Sequence, residues 1–411
     1  MEKENLNIIF FSLVEINSIE ESGIYPDLIR EFYKRSHKIT IVCPSERRYK
    51  RKTVFESIDN INYLRVKSLN LQKCSLVEKA LGVFSLGFLY KKQIKKYLAD
   101  VKFDIVLYAT PPINLVSLIY WLKVRDKAFT YLLLKDIFPQ NAVDLKILKK
   151  STLFYSYLKR LEYRLYDISD KIGCMSPENL KYFSKYNVEF KDKIEVNPNS
   201  IDVLSRETIF NREEVLDLHG IPLDKTVYLY GGNIGKPQGI KFLLNQIEYS
   251  SIHFPNIFFV IVGSGTEYSI VENWHKINKP SNCKIIGQLE KKDFEKLTSA
   301  CDVGIILLRK EFTIPNYPSR LLTYMNSSLP ILSITDKVSD IGLISETNNY
   351  GKWSLYGDSD SLIKNILFFE KNPNLRIKMG INSYNYMFNN YSSEISFNKI
   401  ILSYKNHINE K

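Results

Sequence analysis

Thr226–Ile240 reads TVYLYGGNIGKPQGI. A run of β-branched and aromatic residues, TVYLY, predicts a buried strand; a Gly-rich turn follows, and a helix is expected from about Gly239. Gly231, Gly232 and Gly235 let a ligand approach the backbone, and a helix N-terminus turns unbonded N–H groups toward an anion. Lys236 adds a cation. The spacing is neither G-x-G-x-x-G nor a Walker A loop. It therefore reads equally as a phosphate cradle or as a turn that uses glycine only to turn.

The same strand-then-helix unit recurs on both sides. Downstream, strands are expected at Ile257–Val262, Cys283–Ile286, Val303–Leu307 and Pro330–Ile334, with helices between them. Upstream, strands fall at Asn7–Val14, Lys38–Cys43, Asn62–Val66, Asp104–Tyr108, Ala128–Leu134, Asp170–Cys174 and Lys193–Val196. Helices are expected at Tyr25–Arg35, Leu81–Leu98, Ile113–Val124, Leu153–Tyr166 and Pro177–Tyr186. Continuous apolar strands alternating with helices mean parallel sheets covered on both faces. The series breaks near Asn197–Ser205 and restarts, giving two doubly wound α/β domains over 1–198 and 206–385, with a helical segment over 386–411. Ligands of such sheets sit beyond the C-terminal strand ends, so the cleft between two such domains is the expected site.

The 411 residues, 45% hydrophobic and 25% charged with 17 Gly and 15 Pro, exclude collagen-like and disordered classes. Five scattered cysteines form no CxxC pair, which speaks against a disulfide framework or a zinc ribbon and for reduced thiols in a cytosolic protein. No apolar run reaches the ~18 residues of a membrane span, and no signal peptide is apparent. The net charge is +12 and uneven: residues 1–200 hold 34 Lys and Arg against 23 Asp and Glu, residues 201–411 hold 23 against 22. A basic first half suits an anionic partner (nucleic acid, membrane surface or phosphorylated substrate) or a merely solvated surface.

Four further stretches bear on chemistry. In Asn316–Pro330, NYPSRLLTYMNSSLP, Pro318 suits a first helical turn, with Asn316 or Ser319 as cap. Arg320 there opposes the helix dipole, which hints at a bound anion. Val262–Glu267, VGSGTE, places Gly265 after a strand, as a cradle or a tight turn. Asp136 ends a strand in LKDIFPQ, where carboxylates serve catalysis or turns. Lys146–Arg164 interleaves basic and aromatic residues, suiting either an anionic membrane or a core-facing helix. The Asp358-Ser359-Asp360 pair is expected to cap a helix rather than hold a metal. The five histidines lack metal-ligand spacing, so no metal site is expected.

Taken together, GGNIGKPQG and PSRLLTYMNSSLP resemble the donor-site signatures of glycosyltransferase family 4. DIFPQNAVDL, SDKIGCMSPENLKYF and the opening NSIEESGIYPDLIREFYKRSHKITIVCP are similar to its bacterial capsule and O-antigen subgroup. The resemblance covers nearly the whole chain in order. It implies the GT-B fold, two Rossmann-like domains facing a cleft, with the C-terminal helix returning to the first domain. It implies transfer of a sugar from a nucleotide donor, expected to be a UDP-sugar, with retention of configuration and with neither metal nor cofactor. The acceptor implied is a lipid-linked (polyprenyl diphosphate) saccharide, handled by the basic first domain on the inner face of the cytoplasmic membrane.

Carried onto this sequence, Gly232 and Asn233 approach the donor phosphates, Lys236 and Arg320 neutralise the leaving diphosphate, and Gly265 joins the residues expected to bind the donor. Pro318, Ser319, Leu321 and Thr323 complete the donor helix, Gly287 lies by the base, Gly23 lines the acceptor side, and Asp136 stands beside the reacting sugar. The chain departs from the family at Asn233 and Gln238, where many members have Arg and Lys. It departs again at Pro315 and Thr323, where the paired glutamates fall. Rival readings are a GT-B sugar-nucleotide epimerase, a degenerate family member, and a nucleic-acid-binding protein using the basic half; no nucleic-acid-binding motif is present.

Overall fold

The computed structural model describes residues 5–203 and 211–410. The polypeptide forms two compact units, one of residues 1–202 with 393–411 and one of residues 203–392.

The first unit is built on eight strands: β1 (Asn7–Phe11), β2 (Lys38–Glu46), β3 (Val54–Ile58), β4 (Ile61–Ser68), β5 (Ile105–Ala109), β6 (Phe129–Leu134), β7 (Lys171–Cys174) and β8 (Ile194–Val196). Their order is β3-β4-β2-β1-β5-β6-β7-β8, all parallel except β3. Helices α1 (Ile24–Lys34), α2 (Leu76–Tyr97), α3 (Val116–Asp126), α4 (Gln140–Asp144), α5 (Leu153–Ile168) and α6 (Pro177–Tyr186) connect them. The core strands are apolar on both faces: β5 and β6 are buried throughout.

The second unit holds β9 (Thr226–Asn233), β10 (Ile257–Ser264), β11 (Cys283–Ile286), β12 (Val303–Leu307), β13 (Ile331–Thr335) and β14 (Gly351–Leu355). Their order is β11-β10-β9-β12-β13-β14 and every neighbouring pair is parallel. The helices are α7 (Arg212–Leu218), α8 (Lys241–His253), α9 (Tyr268–Asn278), α10 (Lys291–Ala300), α11 (Arg320–Asn326), α12 (Ile341–Thr347), α13 (Ser359–Lys371) and α14 (Pro373–Asn390). Helix α15 (Ser393–Asn409) belongs to the first unit, where Phe397 and Ile400 join its core.

Both sheets reverse their winding once. The reversal falls between β1 and β5 in the first and between β9 and β12 in the second, and in open α/β sheets ligands bind at the strand ends beside such a switch point. The loops after β1 and β5, and after β9 and β12, are therefore where function is sought.

Several expected elements shift, each for a local reason. The hairpin strand β3 was not expected. Asp59 and Asn60 form its two-residue turn with φ of 49° and 62°, the left-handed geometry of a type I′ hairpin. Helix α2 begins at Leu76 rather than Leu81, because Ser75 caps it by accepting a hydrogen bond from the Glu78 N–H. The Ile113–Val124 helix runs instead over Val116–Asp126, and among the described residues no helix is long and apolar enough to cross a membrane. Strand β14 was also not expected; Gly351 admits it because a Cβ there would lie 2.5 Å from the Ile331 carbonyl oxygen. The expected 386–411 segment divides: residues up to 392 stay with the second unit, and α15 returns to the first. The expected boundary at 198–206 overlaps residues 204–210, which lie outside the described residues. Asp358 does cap a helix, accepting from the Ser361 N–H at 3.0 Å.

Candidate active site

In the second unit the Gly-rich loop closes β9 against α11 and β10. The Tyr324 hydroxyl accepts the Gly231 N–H at 2.8 Å, and the Tyr230 hydroxyl donates to the Asn233 carbonyl at 2.8 Å. Gly232 adopts φ 108°, a conformation that L side chains rarely adopt. Gly263 on β10 lies so close that a Cβ there would sit 1.9 Å from the Gly232 carbonyl oxygen. The two loops thus meet backbone to backbone, which leaves their outer rim open to a ligand.

Gln238 is buried and works as a staple: its Oε1 accepts the Gly235 N–H at 3.1 Å. Lys236 is partly exposed on the same loop.

Arg320 lies beneath this loop at the first position of α11. Its guanidinium packs 4.9 Å from the centre of the Tyr230 ring, and Nη2 donates to the Asn233 carbonyl at 3.3 Å. The guanidinium carbon is 3.7 Å from the place a Gly232 Cβ would occupy. Nη1 is buried without a hydrogen-bond partner, and such a donor is costly unless something satisfies it. The segment before α11 is fixed from the far side: Asn316 N–H donates to Ser339 Oγ at 2.9 Å, and Ser339 donates its N–H and hydroxyl to the buried Asp336 at 2.7 and 3.0 Å.

A cavity of about 890 Å³ opens at the ends of β9, β10 and β11. Gly232, Asn233, Ser264, Gln288, Lys291 and Phe294 are among its lining residues. Phe294 also explains Gly231, since a Cβ at Gly231 would meet its ring at 2.3 Å. Gly287 is exposed next to this wall with nothing within 4 Å of its missing Cβ. Gly265 follows the Ser264 wall and passes the Ile234 carbonyl, where a Cβ would sit at 2.2 Å.

Three expectations need correction. Helix α11 has 7 residues and starts at Arg320, so Pro318 lies ahead of it and the helix offers little N-terminal dipole. Ser319 does hold the N-cap position, but its side chain makes no capping bond, and the Asn316 amide donates to the Ile314 carbonyl instead. Leu321 is fully buried and gives its N–H to the Pro318 carbonyl, so it packs the core instead of meeting a ligand. Thr323 remains partly exposed.

In the first unit, Asp136 follows β6 and lies beside Thr110 at the end of β5, while Gly23 ends the loop that leads from β1 into α1. Asp136 is bonded through its backbone to Thr110, whose hydroxyl donates to the Asp136 carbonyl at 2.9 Å. Burial pushes the Asp136 carboxyl up to about 6, and the neighbouring Lys135 amine down to about 7. The Tyr25 phenol is raised by burial and then by the Asp136 charge.

Gly23 precedes α1, and its N–H donates to Asp27 at 2.9 Å. Asp27 also accepts the Asp202 N–H at 3.0 Å, while Arg30 reaches Asp202 at 2.6 Å and the Ile19 carbonyl at 2.6 Å. The loop carrying Gly23 is therefore tied to the last residue of the unit's first segment. Sequence reading missed Tyr324 and this Asp27–Arg30–Asp202 network, and it named Gln238 without its bond to Gly235. Tyr324 stands four residues after Arg320, the spacing that stacks two side chains on one helical face.

Two doubly wound sheets, parallel but for β3 and each with one switch point, have the architecture of the GT-B fold, and the family comparisons make the chain a glycosyltransferase. Residues 27–203 match the model of Glycosyltransferase Family 4, and residues 211–386 match that of Glycosyl transferases group 1. The chain belongs to glycosyltransferase family 4. It is 24% identical over 286 residues to the probable glycosyltransferase WbjE of Pseudomonas aeruginosa, 68% of each chain. In structure it is similar to a sucrose-phosphate synthase from Thermosynechococcus elongatus (12% identity, 99% and 100% of the two chains, TM-score 0.77). It is also similar to Anabaena Alr3699/HepE in complex with UDP-glucose (12% identity, 98% and 100%, TM-score 0.69).

Proposed function

We propose that this glycosyltransferase moves a hexose from a UDP-sugar to a lipid-linked saccharide on polyprenyl diphosphate, with retention of configuration. On this reading it serves capsule or O-antigen assembly as a peripheral protein on the cytoplasmic face of the membrane. The observation that carries the donor reading is Arg320: a cation under the Gly loop with one buried donor left unpaired, beside a cavity large enough for a nucleotide. The UDP-glucose held by the HepE structure is in keeping with it.

When the bond from the sugar to the diphosphate breaks, negative charge grows on the leaving phosphate. Arg320 and Lys236 supply positive charge there, the part a divalent metal plays in other transferases. Gly232 and Asn233 offer close backbone approach. Asp136 flanks the reacting sugar, and Gly23 lies on the acceptor side. The basic first unit faces the anionic lipid diphosphate and the membrane.

The test is the thermal unfolding of the protein with UDP, GDP, ADP or CMP, with magnesium or with a chelator. Ligand at 100 times its dissociation constant stabilises by about 2.7 kcal/mol. The expected result is a shift with UDP alone, equal with and without metal, and lost in Arg320→Ala. No shift with any nucleotide overturns the donor reading.

A further inference from the structure

Helix α2 is apolar on two opposite faces. Leu86, Tyr90 and Ile94 are fully buried against the first unit's sheet, while Val77, Leu81, Phe84 and Phe88 line the outer side at helical spacing. Leu81 is 60% exposed and Phe88 72%. A second apolar face on a helix is ordinarily covered, yet Val77, Leu81 and Phe88 on the outer side of this one stay mostly exposed.

Helix α5 extends the same surface. The Phe84 ring stands 6.2 Å from that of Phe154 and 6.1 Å from that of Tyr157, and Leu153 beside them is 91% exposed. Phe154 and Tyr157 are each 49% exposed, so the two helices share one uncovered aromatic patch.

The charge around this patch has one sign. Residues 73–96 contain six lysines and one acid, Glu78; residues 146–164 contain six Lys and Arg and one acid, Glu162. Glu78 is paired with Arg47 at 2.9 Å, and Glu162 is buried against Tyr166 and Lys159. What remains exposed is positive. A second copy of this chain fits poorly, since a twofold contact would set the same lysines against themselves.

We infer that the outer faces of α2 and α5 form a docking surface that inserts into an anionic bilayer, with Leu81, Phe88 and Leu153 entering the headgroup–acyl boundary and the flanking lysines meeting the phosphates. The inference rests on the membrane reading above and adds to it the apolar anchor and the helix that carries it. Basic residues alone would give binding that salt removes; an inserted apolar patch gives binding that persists.

The experiment is co-sedimentation of the full chain with vesicles of phosphatidylglycerol and phosphatidylethanolamine, and of phosphatidylcholine alone, in 0.1 M and 0.5 M NaCl. The variants are Leu81→Ser with Phe88→Ser, and Lys149→Gln with Lys150→Gln. The wild type should bind the anionic vesicles and keep part of that binding in 0.5 M NaCl. The serine pair should lower partitioning at least about tenfold at both salt concentrations, while the UDP-induced thermal shift, a check on the fold, stays intact. The glutamine pair should lose binding mainly at low salt. Wild-type-like binding by the serine pair overturns the apolar anchor but leaves the membrane reading standing. Failure of the wild type to bind any vesicle overturns both. A wild-type dimer that the serine pair splits, seen by sedimentation velocity, assigns the patch to a second copy and also overturns the inference.

Discussion

Arg320 and Asp136 carry opposite demands that are set by their surroundings. Arg320 sits under a loop whose carbonyl takes one of its donors and leaves another buried and unpaired. Removing the side chain takes charge away from where a leaving diphosphate develops it. Arg320→Ala is expected to lower kcat/KM roughly 10²–10³-fold, measured by steady-state release of UDP; near-wild-type turnover would place the phosphates elsewhere. Asp136 titrates near 6, against an ordinary value of 3.8, because burial disfavours its charge. The neutral form is the one the fold favours, so its stabilisation is full below about pH 4 and is lost as pH rises through about 6. Urea midpoints of Asp136→Asn should therefore gain on those of the wild type across that window. If the ionised carboxylate serves the reacting sugar, wild-type kcat/KM rises through the same pH and the Asn variant lacks that step.

At the scale of elements, β9 and β10 work as one piece because two glycines permit contact where any Cβ would collide. Gly263→Ala would place a methyl 1.9 Å from the Gly232 carbonyl oxygen and at φ 139°. The expected cost is about 1–3 kcal/mol of backbone strain, plus displacement of the Gly232–Asn233 rim. Its signature is a lower urea midpoint together with weaker UDP binding. A variant that keeps both would show that the two loops adjust independently. The rim residues were visible in the sequence, since Gly-rich turns after apolar strands have a period and a composition. The tether made by Tyr324 was not, because it joins Gly231 to a helix more than ninety residues away; the Gln238 staple lies within the turn, but which way its amide points is decided by packing.

On the scale of the molecule, the chain leaves the first unit after Asp202 and returns at Ser393. The two points are bonded to each other: Ser393 N–H donates to the Ile201 carbonyl at 2.9 Å, and its hydroxyl to Asp202. Asp202 in turn holds Arg30 and, through its N–H, Asp27. Helix α15 seals the first unit's core with Phe397 and Ile400. Ending the chain at Ser392 removes both, a loss of about 5 kcal/mol or more by the usual cost of deleting two large buried side chains. That is comparable with the whole stability of an ordinary domain. The first unit of the truncated protein should unfold apart from the second and at lower temperature, seen as a separate early transition by calorimetry; a single unchanged transition would refute this role.

Strand and helix alternation determined the fold class by itself, because parallel strands buried on both faces must be apolar throughout and helices must show a 3.6-residue period. It also marked the loop of Gly232 and Lys236 as a candidate site, since ligand loops follow strands, while the resemblance to the family added Asn233 and the pairing with Arg320. Tertiary structure alone decided what those residues meet. It shortened α11 and buried Leu321, and it set Arg320 against Tyr230 and Asn233 across a gap of nearly ninety residues. It likewise left the outer side of α2 bare: apolar spacing records that a helix has two faces, and only packing decides which one is covered.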